Sequence, residues 1–179
     1  MISKTIRLAG EKDLPSIRKV IETSFSAEEN KAIMKLVAAL SIEASHPPVK
    51  SLIAELDGHV IGYVSFSPIS HKSASPISGY ILSPLGVSAN HQKQGIGSSL
   101  IKTGIEMLTK DGVDVLLVYG DPAYYGRFGF REKTALSFVP PYPLARPFGW
   151  LGMMISEASA PMDPIKFECA GALSKPELW

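Results

Sequence analysis

The sequence predicts an α/β fold, with a mixed central sheet of about six to seven strands flanked by helices. Three observations carry this. Short alternating or wholly apolar runs recur along the chain, and helical stripes of 3.6-residue period stand between them. In addition, the run from Gly79 to Gly120 reads strand, helix, strand. Such a unit makes its two strands parallel, because the crossover helix returns the chain to the same end of the sheet.

In order, Thr5–Ala9 alternates like a first strand. Asp13 offers an N-cap and Pro15 a first-turn residue for a helix whose apolar positions are Ile17, Val20, Ile21 and Phe25. A second helix is expected over Glu28–Glu43, with Ile33, Leu36, Val37 and Leu40 on one face, ended by the Ser45–Pro48 breaker. Two strand-like runs then flank Asp57-Gly58, a two-residue hairpin signal. The run Gly79–Ser88 contains Pro84, which cannot donate to a ladder, so this strand is expected to bulge or to lose pairing on one side. The following helix buries Ile96, Leu100, Ile101, Ile105 and Leu108, and Asp114–Gly120 reads as a buried strand. The segment Pro122–Phe130 is a short helix or turn. Beyond Ala135 two more strand-like runs are interrupted by prolines, and the last residues are the least legible.

With 179 residues, 45% of them hydrophobic, the chain can bury a core and is no disordered protein. A formal charge of +1 lacks the basic excess of a dedicated nucleic-acid binder. The single cysteine, Cys169, excludes an internal disulfide and reads as a small buried hydrophobe. The four scattered histidines have no metal spacing. The first thirteen residues show no leader, and no run is long enough for a membrane span, so a soluble, reducing, cytoplasmic setting is expected.

The stretch Gly86–Leu108 carries the functional signal. A strand runs out into Gln92-Lys93-Gln94-Gly95-Ile96-Gly97 and the chain enters a helix at once. The first helical N–H groups lack intrahelical partners, so such a junction attracts anions. Neither common phosphate motif fits, since no Gly-Lys-Ser/Thr follows and position 100 is Leu where a dinucleotide fingerprint needs its third glycine. From these residues alone, the stretch is either an anion loop or a pair of glycines that allows tight packing.

The same six residues match the Gln/Arg-x-x-Gly-x-Gly/Ala pattern of the GNAT N-acetyltransferase superfamily. The run Ala123–Phe130, "AYYGRFGF", resembles the family's later Tyr-x-x-x-Gly-Phe segment, and Ile6–Ile17 resembles its opening. The run from Tyr119 to Phe130 is similar to a bacterial subgroup of predicted N-acetyltransferases. The resemblance covers residues 4–135 well. Ala89 departs from it, since many relatives carry proline there.

The resemblance implies a GNAT acetyltransferase domain over residues 1–148, with 149–179 a C-terminal extension packed on it. A splayed pair of parallel strands would hold acetyl-CoA, the co-substrate, with no metal. Leu85, Gly86 and Val87 would be the open edge for the pantetheine arm, and Gln92, Lys93, Gln94, Gly95, Ile96, Gly97 and Ser98 the pyrophosphate loop. The Val87 N–H would face the thioester oxygen, and Tyr125 would serve as general acid, with Tyr124 as its alternative. The acceptor would be a small-molecule or peptide amine, bordered by Ser24–Glu43 and the tail after Ala135, with neither nucleic acid nor membrane as partner; a homodimer is compatible. Glu28, Glu29, His46, His91 and Asp121 are base candidates, each read first as a solvated or capping side chain. The competing function is a non-catalytic acyl-CoA-binding or sensing module of the same fold.

Overall fold

The computed structural model describes residues 4–179; residues 1–3, which open the stretch read for a leader and the 1–148 domain, lie outside it. One seven-stranded sheet runs β1(Lys4–Leu8)–β2(Lys50–Leu56)–β3(His59–Ser70)–β4(Gly79–Val87)–β5(Val115–Tyr119)–β7(Trp150–Met154), with β9(Glu168–Cys169) also paired to β3. A separate two-stranded sheet joins β6(Phe138–Val139) to β8(Ile165–Lys166). The described chain forms two compact units. The first is the chain up to Phe66 with Pro84–Gly104, and the second is Ser67–Ser83 with Ile105–Trp179.

In the first unit, α1(Leu14–Ser24) and α2(Ala27–Leu40) set their apolar stripes toward the sheet. Ile17, Ile21, Val37, Ile53 and Tyr63 form one buried cluster. Each such aliphatic side chain contributes roughly 1.5–3 kcal/mol by burial. The second helix begins and ends earlier than Glu28–Glu43. Ser26 and Glu29 form a capping box at its start. At its end the Ile42 N–H bonds to the Ala39 carbonyl and the Glu43 N–H to that of Leu40, an i−3 pattern that tightens the last turn.

Asp13 has a different role from the expected N-cap. Its backbone is helical and its side chain makes no forward cap bond. It accepts from the Gly10 N–H at 2.7 Å and from Arg7 Nη1 and Nη2 at 2.8 and 2.9 Å. Arg7 also reaches Glu55 on β2, so one guanidinium ties β1, the turn at Glu11–Asp13 and β2 together.

The hairpin forms at Asp57-Gly58, with φ of +49° and +79°, the left-handed pair a type I′ turn requires. Its register shifts by one residue at Ala54/Glu55, which sets Ser51 opposite Ser65. The β4–β5 pair is parallel, as the strand–helix–strand run predicts.

In the second unit, β5 pairs antiparallel with β7, and residues of the tail supply β7, β8 and β9. Trp150 is buried; its Nε1 donates to Phe138 O at 2.8 Å and to Ala135 O at 3.2 Å. Its ring stacks on Phe167 and lies 5.7 Å from that of Trp179. The run Ala135–Leu144 is strand only at Phe138–Val139, because the prolines that follow cannot donate to a ladder. Cys169 is half-buried on β9 rather than fully buried, because that strand is a two-residue piece at the edge of β3.

Candidate active site

In the first unit, β4 passes into a short turn at Ala89–His91, the glycine loop, and α3(Ile96–Lys110). Two loop residues are left-handed, Lys93 at φ +60° and Gly95 at φ +78°. For lysine this conformation costs of order 1–2 kcal/mol, which the rest of the loop must hold in place. Two side chains do so: Gln92 Nε2 donates to Val87 O at 3.0 Å and Gln94 Nε2 to Asn90 O at 3.1 Å. The space where Gly95 would carry a Cβ is open to at least 4 Å. The Ser99 N–H makes a first helical bond to Gly95 O at 2.9 Å, so the helix itself does not use the N–H groups of Ile96, Gly97 and Ser98. Lys4 Nζ, on β1, reaches Ser99 Oγ at 3.2 Å and adds a cation beside that helix start.

The edge beside the loop follows from strand alternation. The Ser88 N–H bonds to Ile61 O of β3 at 2.9 Å. Successive residues of a strand direct their backbone groups to opposite sides, so Val87 turns its N–H and C=O away from β3. Gln92 takes that carbonyl, and the N–H remains. The β4–β5 register ends at Leu82↔Val118, and β4 continues to Val87 beyond it. Pro84 therefore lies in the stretch without β5 pairing, as its missing donor predicts. Gly86 lies close under α1: a Cβ there would sit 3.0 Å from Ile21 Cδ1 and 3.1 Å from Ser24 Oγ, so those side chains would have to shift by a few tenths of an ångström. Leu85 and Val87 are half-buried and Gly86 is buried.

In the second unit, Tyr125 ends the single turn α4(Pro122–Tyr125), which Asp121 caps through the Ala123 N–H at 2.9 Å. Its ring packs over Gly120, where a Cβ would collide with it, and meets Tyr124 and Phe130 edge-on, with centroids 5.1 and 5.8 Å away. Gly129 is left-handed at φ +103°, which turns Phe130 into the core beneath this ring. Burial, then the neighbouring Tyr124 and Asp121, push the Tyr125 hydroxyl well above the ordinary tyrosine range, so it holds its proton at neutral pH.

The base candidates divide. Glu29 and Asp121 are caps, while Glu28 and His46 are exposed. His91 sits at the head of the loop with Nδ1 buried and without a partner among the described residues. The sequence reading missed a hydroxyl network in the first unit: Ser51 Oγ lies 3.3 Å from the Tyr63 hydroxyl and 3.0 Å from Ser65 Oγ. Ser51 and Tyr63 line a cavity of about 250 Å³ whose other walls include Gly10, Glu11 and Leu14. The signal for that network was a pair of polar residues inside apolar runs, on either side of the Asp57-Gly58 turn. Among the described residues no acidic, histidine or cysteine cluster could hold a metal, and no helix is long and apolar enough to cross a membrane.

The family model of the Acetyltransferase (GNAT) family matches residues 14–130, more than half of the chain. The chain belongs to the GNAT acetyltransferase family. It is 33% identical over 161 residues to the uncharacterized N-acetyltransferase YjhQ of Escherichia coli (strain K12), covering 88% of this chain and 87% of that one. The GNAT family acetyltransferase of Brucella melitensis, solved in complex with acetyl-CoA, aligns with a TM-score of 0.72 and 27% identity, over 96% of this chain and 99% of that one. Escherichia coli YhbS, solved with CoA, shares the fold at a TM-score of 0.81 and 24% identity, over 98% and 94% of the two chains.

Proposed function

We propose that the protein is an acetyl-CoA-dependent N-acetyltransferase that moves the acetyl group to a primary amine by direct attack in a ternary complex. The observation that carries this reading is the Val87 N–H, turned away from β3 on a stretch of β4 that has left its β5 pairing, directly before a left-handed loop and a helix start. The acetyl-CoA bound by the Brucella melitensis relative supports the same donor here.

In this reading acetyl-CoA is the donor substrate, and its thioester supplies an acyl carbon open to an uncharged amine. The N–H groups of Ile96, Gly97 and Ser98, with the field of Lys93, bind the pyrophosphate. The edge at Leu85–Val87 pairs with the pantetheine amides as an added strand would. As the amine lone pair forms the new C–N bond, the Val87 N–H donates to the carbonyl oxygen, where negative charge develops. When the C–S bond breaks, the Tyr125 hydroxyl gives its proton to the departing sulfur and is reprotonated from solvent. The amine's surplus proton leaves to water. Residues 1–148 as the catalytic part, with 149–179 as an extension, belong to this same proposal.

The test is a thermal-shift series followed by a broad amine screen that detects free CoA thiol. A ligand that binds only the folded protein raises Tm by mass action, so acetyl-CoA and CoA should stabilise and nucleotides without the pantetheine arm should act less. Stabilisation by NAD and none by CoA would overturn the reading. Stabilisation without thiol release across the screen would favour the non-catalytic acyl-CoA module.

A further inference from the structure

We propose that the proline-walled cleft of the second unit is a binding site for a primary amine with an apolar, preferably aromatic, body. The cleft holds about 530 Å³ and is lined entirely by second-unit residues. That volume falls in the range of small-molecule sites, roughly 300–1,000 Å³. The smaller cavity at Ser51 and Tyr63 falls below it, and its hydroxyls already bond one another.

The walls specify the ligand. Leu136 and Val139 line the cleft yet are 68% and 37% exposed, so apolar surface stands in water that a bound apolar group would release. Tyr142 and Trp150 add aromatic surface. Trp150 is fixed by its two Nε1 hydrogen bonds, and Tyr142 is backed by Trp179 with ring centroids 6.5 Å apart. Beside Leu144 stand the prolines Pro140, Pro141, Pro143 and Pro147. Their φ angles are locked, which leaves less backbone freedom for binding to freeze.

Charge narrows the class further. Glu132 is the one ionisable acid in the lining, it is exposed, and no lysine, arginine or histidine lines the cleft with it. It makes no ion pair among the described residues. A carboxylate at the rim of an apolar aromatic cleft favours a cation carried on an apolar body, and aromatic faces add to that preference. An acid of the same shape is repelled, and an alcohol has no charge to pair. That such an amine is also the acetyl acceptor rests on the acetyltransferase reading; that it binds does not.

The experiment titrates the full chain with 2-phenylethylamine, 2-phenylethanol and 3-phenylpropionate, followed by tryptophan fluorescence and by calorimetry. The amine should bind saturably, and the alcohol and acid about 10-fold more weakly or worse. Glu132→Gln should weaken the amine about 2- to 5-fold and leave the alcohol unchanged. Leu136→Lys, at an exposed position that tolerates it, should abolish amine binding while circular dichroism stays native. Equal affinity for amine and alcohol, amine binding untouched by both variants, or no saturable binding in either measurement would overturn the proposal. If the amine binds as described and no CoA is released from acetyl-CoA, the acetyltransferase reading fails and the site stands. If amines are acetylated while Glu132→Gln and Leu136→Lys leave KM unchanged, the site fails and the reading stands.

Discussion

The side-chain amide of Gln92 donates to the main-chain carbonyl of Val87 at 3.0 Å, so the glycine loop holds the strand that leads into it. The bond occupies the carbonyl on the side turned away from β3 and leaves the N–H of the same residue, the donor of the proposed mechanism, untouched. Gln92→Ala removes it at an exposed position, and a net hydrogen bond is worth about 0.5–1.5 kcal/mol. Acetyl-CoA affinity should fall about 3- to 10-fold by calorimetry, with Tm of the free protein nearly unchanged. An unaltered affinity would show that the loop keeps its shape without this clamp.

Gly97 is buried in the first turn of α3. In the proposed reading this turn borders the pyrophosphate, and a β-branched side chain would crowd it. Gly97→Val should lose CoA binding while circular dichroism reports a folded chain. A folded variant with wild-type affinity would make the two glycines packing residues only.

Tyr125→Phe keeps the ring that packs on Gly120 and Phe130 and removes the hydroxyl. With an accepted amine, kcat should fall about 10²–10⁴-fold, the usual worth of general acid catalysis, and KM for acetyl-CoA should move little. Because burial raises this hydroxyl above the ordinary value, any high-pH limb it causes lies above about pH 10. Wild-type kcat in the variant would leave Tyr125 as a packing aromatic and turn attention to Tyr124 or water.

Gly120→Ala should act through the same ring, since its Cβ would enter the space of the Tyr125 side chain. We expect a lower kcat in the wild-type background and a much smaller further loss in the Tyr125→Phe background, the non-additivity that contacting residues show. Two independent, additive losses in that double-mutant cycle would argue against a shared cause.

The Arg7–Asp13 pair makes an acid-stability prediction. The Arg7 guanidinium holds the Asp13 carboxyl at about 2, below its reference value of 3.8. A depressed carboxyl stabilises above its unfolded value and loses that contribution as pH falls through the folded one. Arg7 is partly exposed and solvent screens the pair, so the effect is small. Urea midpoints should show wild type ahead of Asp13→Asn at neutral pH, with the gap closing between about pH 4 and pH 2. A gap independent of pH would assign Asp13 a purely geometric role.

Much of the architecture was legible because its causes are local. Asp57-Gly58 demands a left-handed turn, the stripes of α1 and α3 follow helical period, and the run Gly79–Gly120 has one economical topology. The glycine loop was legible for the same reason, as were the caps behind Glu29 and Asp121. Ile105 alone of the α3 stripe is half-buried. Asp13 was misread because its partner, Arg7, precedes the helix and draws the carboxylate backward.

By itself the sequence determined the α/β class, the parallel strand–helix–strand unit and the residues of the loop, since turn chemistry and periodicity act over a few residues. Tertiary structure alone decided three things. The one-residue bulge at Ala54/Glu55 places Ser51 against Ser65. The tail's strands find partners far away in sequence, Cys169 against Ile69 and Trp150 against Tyr119. The prolines after Val139, which read only as interruptions, become the walls of a cleft. Each depends on contacts between distant residues, whose free energy appears only when the chain has closed the loops between them.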